Sequence, residues 1–416
     1  MGLIHRVWIK LTPTTAVQDC GREEIMYFEY LYRVIYLAGL SFSPENQKYY
    51  IYSNAVKAAL ILLFMSELWQ FLSRQWTLDT ITDSFNILMI QLGAVCKYRK
   101  KLAYENVFKR LASSMSSPNF DLSTDERKKL LEVWQRRSEA NLKLLLALGT
   151  CTVIPWHIYP LVDDLDYNLM VPIRLPFSYQ NQLRYQITYF LVIIVFSYMS
   201  YFVMVNDLII QAHVMHLLCQ YSILGDCFRH ILKDCKLDFH DLNETQLYSN
   251  KNFQLKYKKR IGDLIRQHKF ILNNTLDLRD ILSAPMLVQL AVSTILICSI
   301  GYQLVATSIH MNVTKWLMSF LYLGYNMFGL YILCRWCEEV KIQSKAIGDA
   351  VYFSRWEDGI TQVPGIRSSI LMILARCNKP LVLSAGGMYD LSLQGYATIV
   401  KTSYSALTVL LRFRQN

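Results

Sequence analysis

Four stretches of this chain run for the thickness of a membrane without one charged side chain. They are residues 144–162 (LLLALGTCTVIPWHIYPLV), 185–206 (YQITYFLVIIVFSYMSYFVMVN), 281–307 (ILSAPMLVQLAVSTILICSIGYQLVAT) and 316–334 (WLMSFLYLGYNMFGLYILC). A helix of about 20 apolar residues covers the ~30 Å hydrocarbon core of a bilayer. Soluble helices instead interleave charges with a one-sided apolar stripe. Charged residues make up 18% of the 416, against roughly 25% in soluble domains, and they sit between these blocks. Four buried helices of a large soluble protein would be the alternative, and their length and lack of charge argue against it.

Three weaker segments complete the set. Residues 49–72 hold AALILLFMSELWQFL with Lys57 and Glu67 inside, 80–96 carry Asp83 near one end, and 391–413 carry Lys401. A charge within a span is costly and usually faces protein or water. The expected fold is therefore an all-α membrane protein with seven transmembrane helices, at about 49–72, 80–96, 140–162, 184–208, 281–307, 316–338 and 391–413. The first 48 residues are mixed in charge and lack an early apolar core, so they read as a cytoplasmic segment and not a signal peptide.

Basic residues set the orientation. Segment 97–138 holds eleven Lys and Arg, including KYRKK at 97–101. Segment 161–183 has only Arg174 beside Asp163, Asp164 and Asp166, and 216–265 is basic again, with KYKKR at 256–260. The positive-inside rule places the two basic segments in the cytoplasm. Counting crossings puts the amino terminus inside and the carboxyl terminus outside. The net charge of +11 then faces anionic lipid and calls for no nucleic acid.

The cytoplasmic segments carry helical periodicity. Residues 123–142 open with Ser123, Thr124 and acids in the first turn, a helix-start pattern. With about 216–280 and 339–380 they predict inward extensions forming a helical anchor, with amphipathic helices lying on the bilayer as the alternative. Pro155 and Pro285 predict kinks inside spans.

Chemistry-bearing motifs are missing. The chain has no GxxxxGK[ST], HExxH or GxSxG, and no enzyme, cofactor or metal site is expected. His157, His213 and His216 are scattered. Cys334 and Cys337 form a lone CxxC that reads as helix packing. Asn312 begins an NVT glycosylation sequon in a loop placed outside.

The last segment carries the most specific pattern. Residues 367–411 read RSSILMILARCNKPLVLSAGGMYDLSLQGYATIVKTSYSALTVLL. Lys379-Pro380, Gly387, Leu391-Ser392, Ile399, Lys401, Ser403-Tyr404-Ser405, Thr408 and Leu410 match the terminal motif of the insect odorant receptors, and the chain resembles that family. Its usual phenylalanine is here Tyr396. Gustatory receptors end instead in TY-x5-QF, where this chain has Ser403-Tyr404 and Leu410-Leu411. A G-protein-coupled receptor would need an external amino terminus and motifs that are absent, and a transporter would usually show internal repeats.

The resemblance implies an odorant-gated, non-selective cation channel. It implies a heterotetramer with the odorant receptor co-receptor, in the plasma membrane of olfactory sensory neurons, with the last helix of each subunit lining a central pore. On that helix Val400, Ser403, Leu407, Leu410 and Leu411 fall near one stripe. Leu407 is the expected constriction, with Ser403 a turn below facing water, because a ring of leucines blocks ions by dewetting. A small volatile odorant would bind among the outer ends of spans two, three, four and six: Ile81, Ser84 and Phe85; Gly149, Thr152 and Trp156; Thr188, Val192 and Phe196; Tyr322 and Tyr325. These are apolar and aromatic with a few hydroxyls, as small-molecule sites usually are.

Overall fold

The structure, a computed structural model, describes residues 12, 27–40, 47–73, 78–116, 120–162, 167–239, 244–306, 313–357, 360, 363–379 and 381–415. Asn312, the acids at 163–166 and Pro380 lie outside them, as do the side chains of Ile81 and Asp83. The described chain is almost entirely helical. In order it forms α1 (Glu29–Leu37), α2 (Gln47–Ser73), α3 (Leu78–Ala103), α4 (Glu105–Ala112), α5 (Asp125–Val162), α6 (Gln182–Arg229), α7 (Ile231–Lys236), α8 (Glu244–Ser249), α9 (Lys251–Ala306), α10 (Val313–Tyr352), α11 (Ile366–Cys377) and α12 (Leu393–Gln415). A two-stranded hairpin, β1 (Ser384–Ala385) and β2 (Tyr389–Asp390), precedes α12.

Five of these helices, α2, α5, α6, α9 and α10, are long and apolar enough to cross a membrane. Helices α3 and α12, expected as the second and seventh spans, fall short of that measure for a physical reason. Asp79, Asp83 and the KYRKK run load α3, while Lys401, Arg412 and a series of hydroxyls load α12. Exposed apolar side chains on α2 (Ile61, Leu62, Trp69) and α6 (Leu183, Ile187, Phe190) form the surface a lipid tail would cover. The chain is a multi-pass helical membrane protein.

Helix α6 is the axis of the bundle, packed by α10, α5, α9, α2 and α3. Asn181 caps its start, its side chain accepting from the Leu183 amide. From Val203 to Leu218 only Asp207 escapes burial, so this half is enclosed around its circumference and mostly apolar, with Asn206, Gln211, His213 and His216 buried among the apolar side chains. Helices α6 and α9 contain 48 and 56 residues. At 1.5 Å per residue they reach about 72 and 84 Å, far beyond the bilayer. Pro155 and Pro160 sit within α5 and Pro285 within α9, and neither helix is interrupted.

An ion cluster ties the ends of these extensions together. Arg127 at the start of α5 is 1% exposed and reaches Asp121 (2.8 Å), Asp226 (3.2 Å) and Asp234 (2.5 Å). Arg260 of α9 joins the same Asp121 and lies 3.0 Å from Asp234. Burial pushes the Asp121 carboxyl up in pKa, but the Ser123 hydroxyl and amide and the Arg260 guanidinium outweigh it and hold it at about 2. Residues 121–127, 226–234 and Arg260, from three stretches of the chain, thus share one charge network.

The hairpin sets where α12 begins. Gly386 and Gly387 take positive φ angles of 62° and 68°, which glycine adopts without steric cost. The Gly386 amide donates to Ser283 O of α9 at 2.9 Å, and an added Cβ would meet Leu287 Cδ2 at 2.7 Å. Ser392 then caps α12, its Oγ accepting from the Gly395 amide at 3.1 Å.

Candidate functional site

A cavity of about 70 Å³ lies within the bundle, walled by α3, α5, α6 and α10. These are the four helices expected from sequence to build a ligand site. Thr152 and Trp156 of α5, Phe196 of α6, and Tyr322 and Tyr325 of α10 line it together. The Trp156 indole stands 5.5 Å from the Phe196 ring and 6.1 Å, nearly edge-on, from Tyr322. Offset and edge-to-face pairs of this kind make a firm wall. Met199 and Met204, unbranched and adaptable, complete the α6 side.

The other expected residues lie elsewhere. Gly149 is one layer behind the wall, where an added Cβ would fall 2.6 Å from Met204 Sδ and 3.2 Å from Tyr325. Ser84 is buried and Phe85 faces Phe71 of α2, ring centroids 6.4 Å apart. Thr188 and Val192 are buried on α6 nearer its start, outside the cavity lining. Sequence reading missed Gln91 of α3, which lines the cavity. Its signal was an amide inside the apolar run ILMIQLGAV, one helical turn after Ile87.

Below the cavity, and sharing Tyr325 with it, is a smaller space of about 30 Å³ lined by Asp207, Gln211, Gln289 and Asn326. Here Lys97 of α3 pairs with Asp207 of α6 and donates to Gln289 Oε1 of α9 at 2.7 Å. The Lys97 side chain is 4% exposed. Lys97 thus joins three core helices through one ion pair and one hydrogen bond, whereas the sequence places it in a cytoplasmic basic run.

Helix α12 turns its expected pore stripe inward. Ser403 is fully buried and donates to Ile399 O at 2.8 Å. Leu407 packs on α9 at Gly301, and Val400, Leu410 and Leu411 are half-buried. The exposed face carries Thr398, Lys401, Thr402, Ser405 and Val409. The motif's small hydroxyls could not reveal this rotation, because serine is found on packed and wet faces alike. The exposed threonine and serine hydroxyls, with Tyr404 exposed beside them, also donate to their own helix: Thr398 to Gln394 O (3.0 Å), Thr402 to Thr398 O (2.9 Å) and Ser405 to Lys401 O (3.0 Å). Their oxygens are left outward as acceptors. Among the described residues no three His, Cys, Asp or Glu side chains gather as metal ligands. Cys334 and Cys337 are buried within α10 as unbonded thiols.

The fold has close solved counterparts. The insect olfactory receptor OR5 from Machilis hrabei in complex with eugenol superposes with a TM-score of 0.73, covering 98% of this chain and 99% of that one at 15% identity. A second structure of the same receptor gives a TM-score of 0.74, covering 93% of this chain and 98% of that one at 14% identity. In sequence the chain is 24% identical to odorant receptor 13a of Drosophila melanogaster over 66% of each protein, and 20% identical to odorant receptor 94a of the same fly over 94% of this chain and 99% of the relative. A further match, to odorant receptor 2a, is 28% identical but spans about a third of that relative, 36%. The family profile for the 7tm odorant receptors matches residues 57–404. With that match running from α2 into α12, this chain belongs to the insect 7tm odorant receptor family, a family of receptors and not of enzymes.

Proposed function

We propose that the chain is the odorant-tuned subunit of a ligand-gated, non-selective cation channel. It crosses the membrane seven times, with its amino terminus in the cytoplasm and its carboxyl terminus outside. It assembles as a heterotetramer with the odorant receptor co-receptor in the plasma membrane of olfactory sensory neurons. A small volatile occupies the cavity between α3, α5, α6 and α10, in the outer half of the bundle.

The observation that carries this reading is the exposed face of α12. A helix in a membrane protein that turns Thr398, Thr402, Ser405 and Lys401 outward is poorly matched to lipid. It suits a water-filled path shared between subunits. Hydroxyl oxygens whose protons are already donated backwards offer acceptors to a passing cation. Val409, 52% exposed near the outer end of the same face, supplies the apolar ring that closes such a path by dewetting. Leu407, behind it, holds the helix against α9. Ligand opens the gate only by binding the open arrangement better, and a preference of about 1.4 kcal/mol changes the open-to-closed ratio tenfold.

The test is a recording from cells expressing the chain with and without the co-receptor, exposed to a panel of volatiles. Inward cation current that needs both subunits supports the proposal. Current from the chain alone would assign a homomeric channel of the gustatory type, and a response carried only by G-protein signalling would overturn the channel reading.

A further inference from the structure

Most polar groups of the cavity are already engaged. Thr152 Oγ1 donates to Gly149 O at 2.6 Å and Ser200 Oγ to Phe196 O at 2.9 Å. Gln91 differs. It is 2% exposed, it lines the cavity, and neither its amide nitrogen nor its amide oxygen has a hydrogen-bond partner among the described residues. Behind it, Glu67 of α2 is 3% exposed with both carboxyl oxygens likewise unpartnered. The Gln91 side chain lies close enough to Glu67 to interact with its carboxyl. A buried amide left open is costly, and apolar surroundings make the cost larger.

We propose that Gln91 determines ligand specificity, its amide reading one oxygen of a small volatile, a hydroxyl or a carbonyl. This rests on the cavity being the ligand site proposed above. The ligand's apolar body lies against Trp156, Phe196 and Tyr322, and its oxygen accepts from Gln91 Nε2. A hydroxyl also donates to Gln91 Oε1. Glu67 sits behind the amide and keeps that end of the cavity polar. A site built around such a group discriminates strongly against an analogue lacking it, because the amide is then left unpaired. The chain is thereby tuned to oxygenated volatiles over hydrocarbons of the same skeleton.

The test uses a matched series: one six- to eight-carbon skeleton as alcohol, ketone and hydrocarbon. Two readouts are taken, odorant-evoked current with the co-receptor and the thermal stability of the purified complex with each compound. The wild-type complex should respond to, and be stabilised by, the oxygenated members at concentrations about tenfold lower than the hydrocarbon, equivalent to about 1.4 kcal/mol. Gln91→Met keeps the length and removes the hydrogen bonds. It should lose that preference from both sides, weakening the responses to the alcohol and ketone and strengthening the hydrocarbon response, which no longer leaves an amide unpaired, with surface expression checked in parallel. Equal effects of all three compounds on the wild-type complex, or a uniform shift of all three in the variant, overturn the inference, as does a wild-type complex that none of them stabilises. Stabilisation by oxygenated members without any current would leave the inference standing and sink the channel reading instead.

Discussion

Leu407 of the last helix rests on Gly301 of α9 so closely that a Cβ added to the glycine would lie 3.0 Å from Leu407 Cδ2. The contact fixes the rotation of α12. It turns Ser403 and Ile399 inward with Leu407 and leaves the hydroxyl face of Thr398, Thr402 and Ser405 outside. A change on either partner should therefore move the face that lines the proposed path.

Leu407→Ala removes the packed side chain and leaves a void, a loss of about 2–5 kcal/mol in a well-packed site. In the proposed channel this contact would hold the closed arrangement, so basal current should rise several-fold. Unchanged basal current and unchanged odorant sensitivity, at equal surface expression, would count against the contact as a gating element. Gly301→Ala should act in the same direction by pushing Leu407 away.

Lys97 and Asp207 pair in the bundle core beside Gln289. Removing one partner leaves a buried charge without its counter-ion, and Lys97→Met should cost about 3 kcal/mol, the low end for such pairs because Asp207 is partly open to solvent. Surface delivery should drop sharply, and the double variant Lys97→Met with Asp207→Leu should recover much of it. No recovery in the double variant would show that Lys97 does more than balance Asp207.

The charge network at the ends of the helical extensions gives a pH prediction. Asp121 is held at about 2, below its ordinary value of 3.8. Its contribution is present in full above pH 4 and is lost as pH falls from about 4 to 2, when the folded-state carboxylate must take up a proton. The thermal stability of the purified protein should decline through that window by up to about 2 kcal/mol. Asp121→Asn should be less stable at pH 7 and show a flatter profile between pH 4 and 2. An unchanged profile would remove Asp121 from the account.

Gly149→Ala tests the cavity from behind. The new methyl collides with Met204 Sδ and Cε, the flexible end of a wall residue, and with Tyr325. Met204 should move into the cavity, so the variant should lose responses to larger ligands by about tenfold or more and retain those to smaller ones. An equal change for all sizes would argue that Gly149 serves helix packing alone.

Much of this was legible before any coordinates. Charge-free runs located the long helices because the bilayer imposes a length and forbids charge. That α3, α5, α6 and α10 would wall a ligand site came with the resemblance to the odorant receptors, and the order of crossings added only which of their ends face outward. The exact residues did not follow, because helical periodicity gives spacing and leaves the rotation of each helix free. Thr152 and Trp156 reached the cavity, while Thr188 and Val192 on the expected stripe of α6 did not. The same freedom placed Ser403 inside and Ser405 outside. The pairing of Lys97 with Asp207 and the placing of Gln91 near Glu67 depend on neighbours far away in the chain, and one-dimensional patterns carry no record of them.

The central claim is that the face of α12 bearing Thr398, Thr402, Ser405 and Val409 is the wall of the ion path. Cysteine accessibility reads it most directly. Single cysteines at Ser403, Ser405 and Val409, co-expressed with the co-receptor, are treated from outside with a charged thiol reagent during odorant-evoked current, with the unsubstituted chain as control. The account predicts rapid block at positions 405 and 409 and none at 403. Block at 403 with 405 and 409 untouched would contradict it.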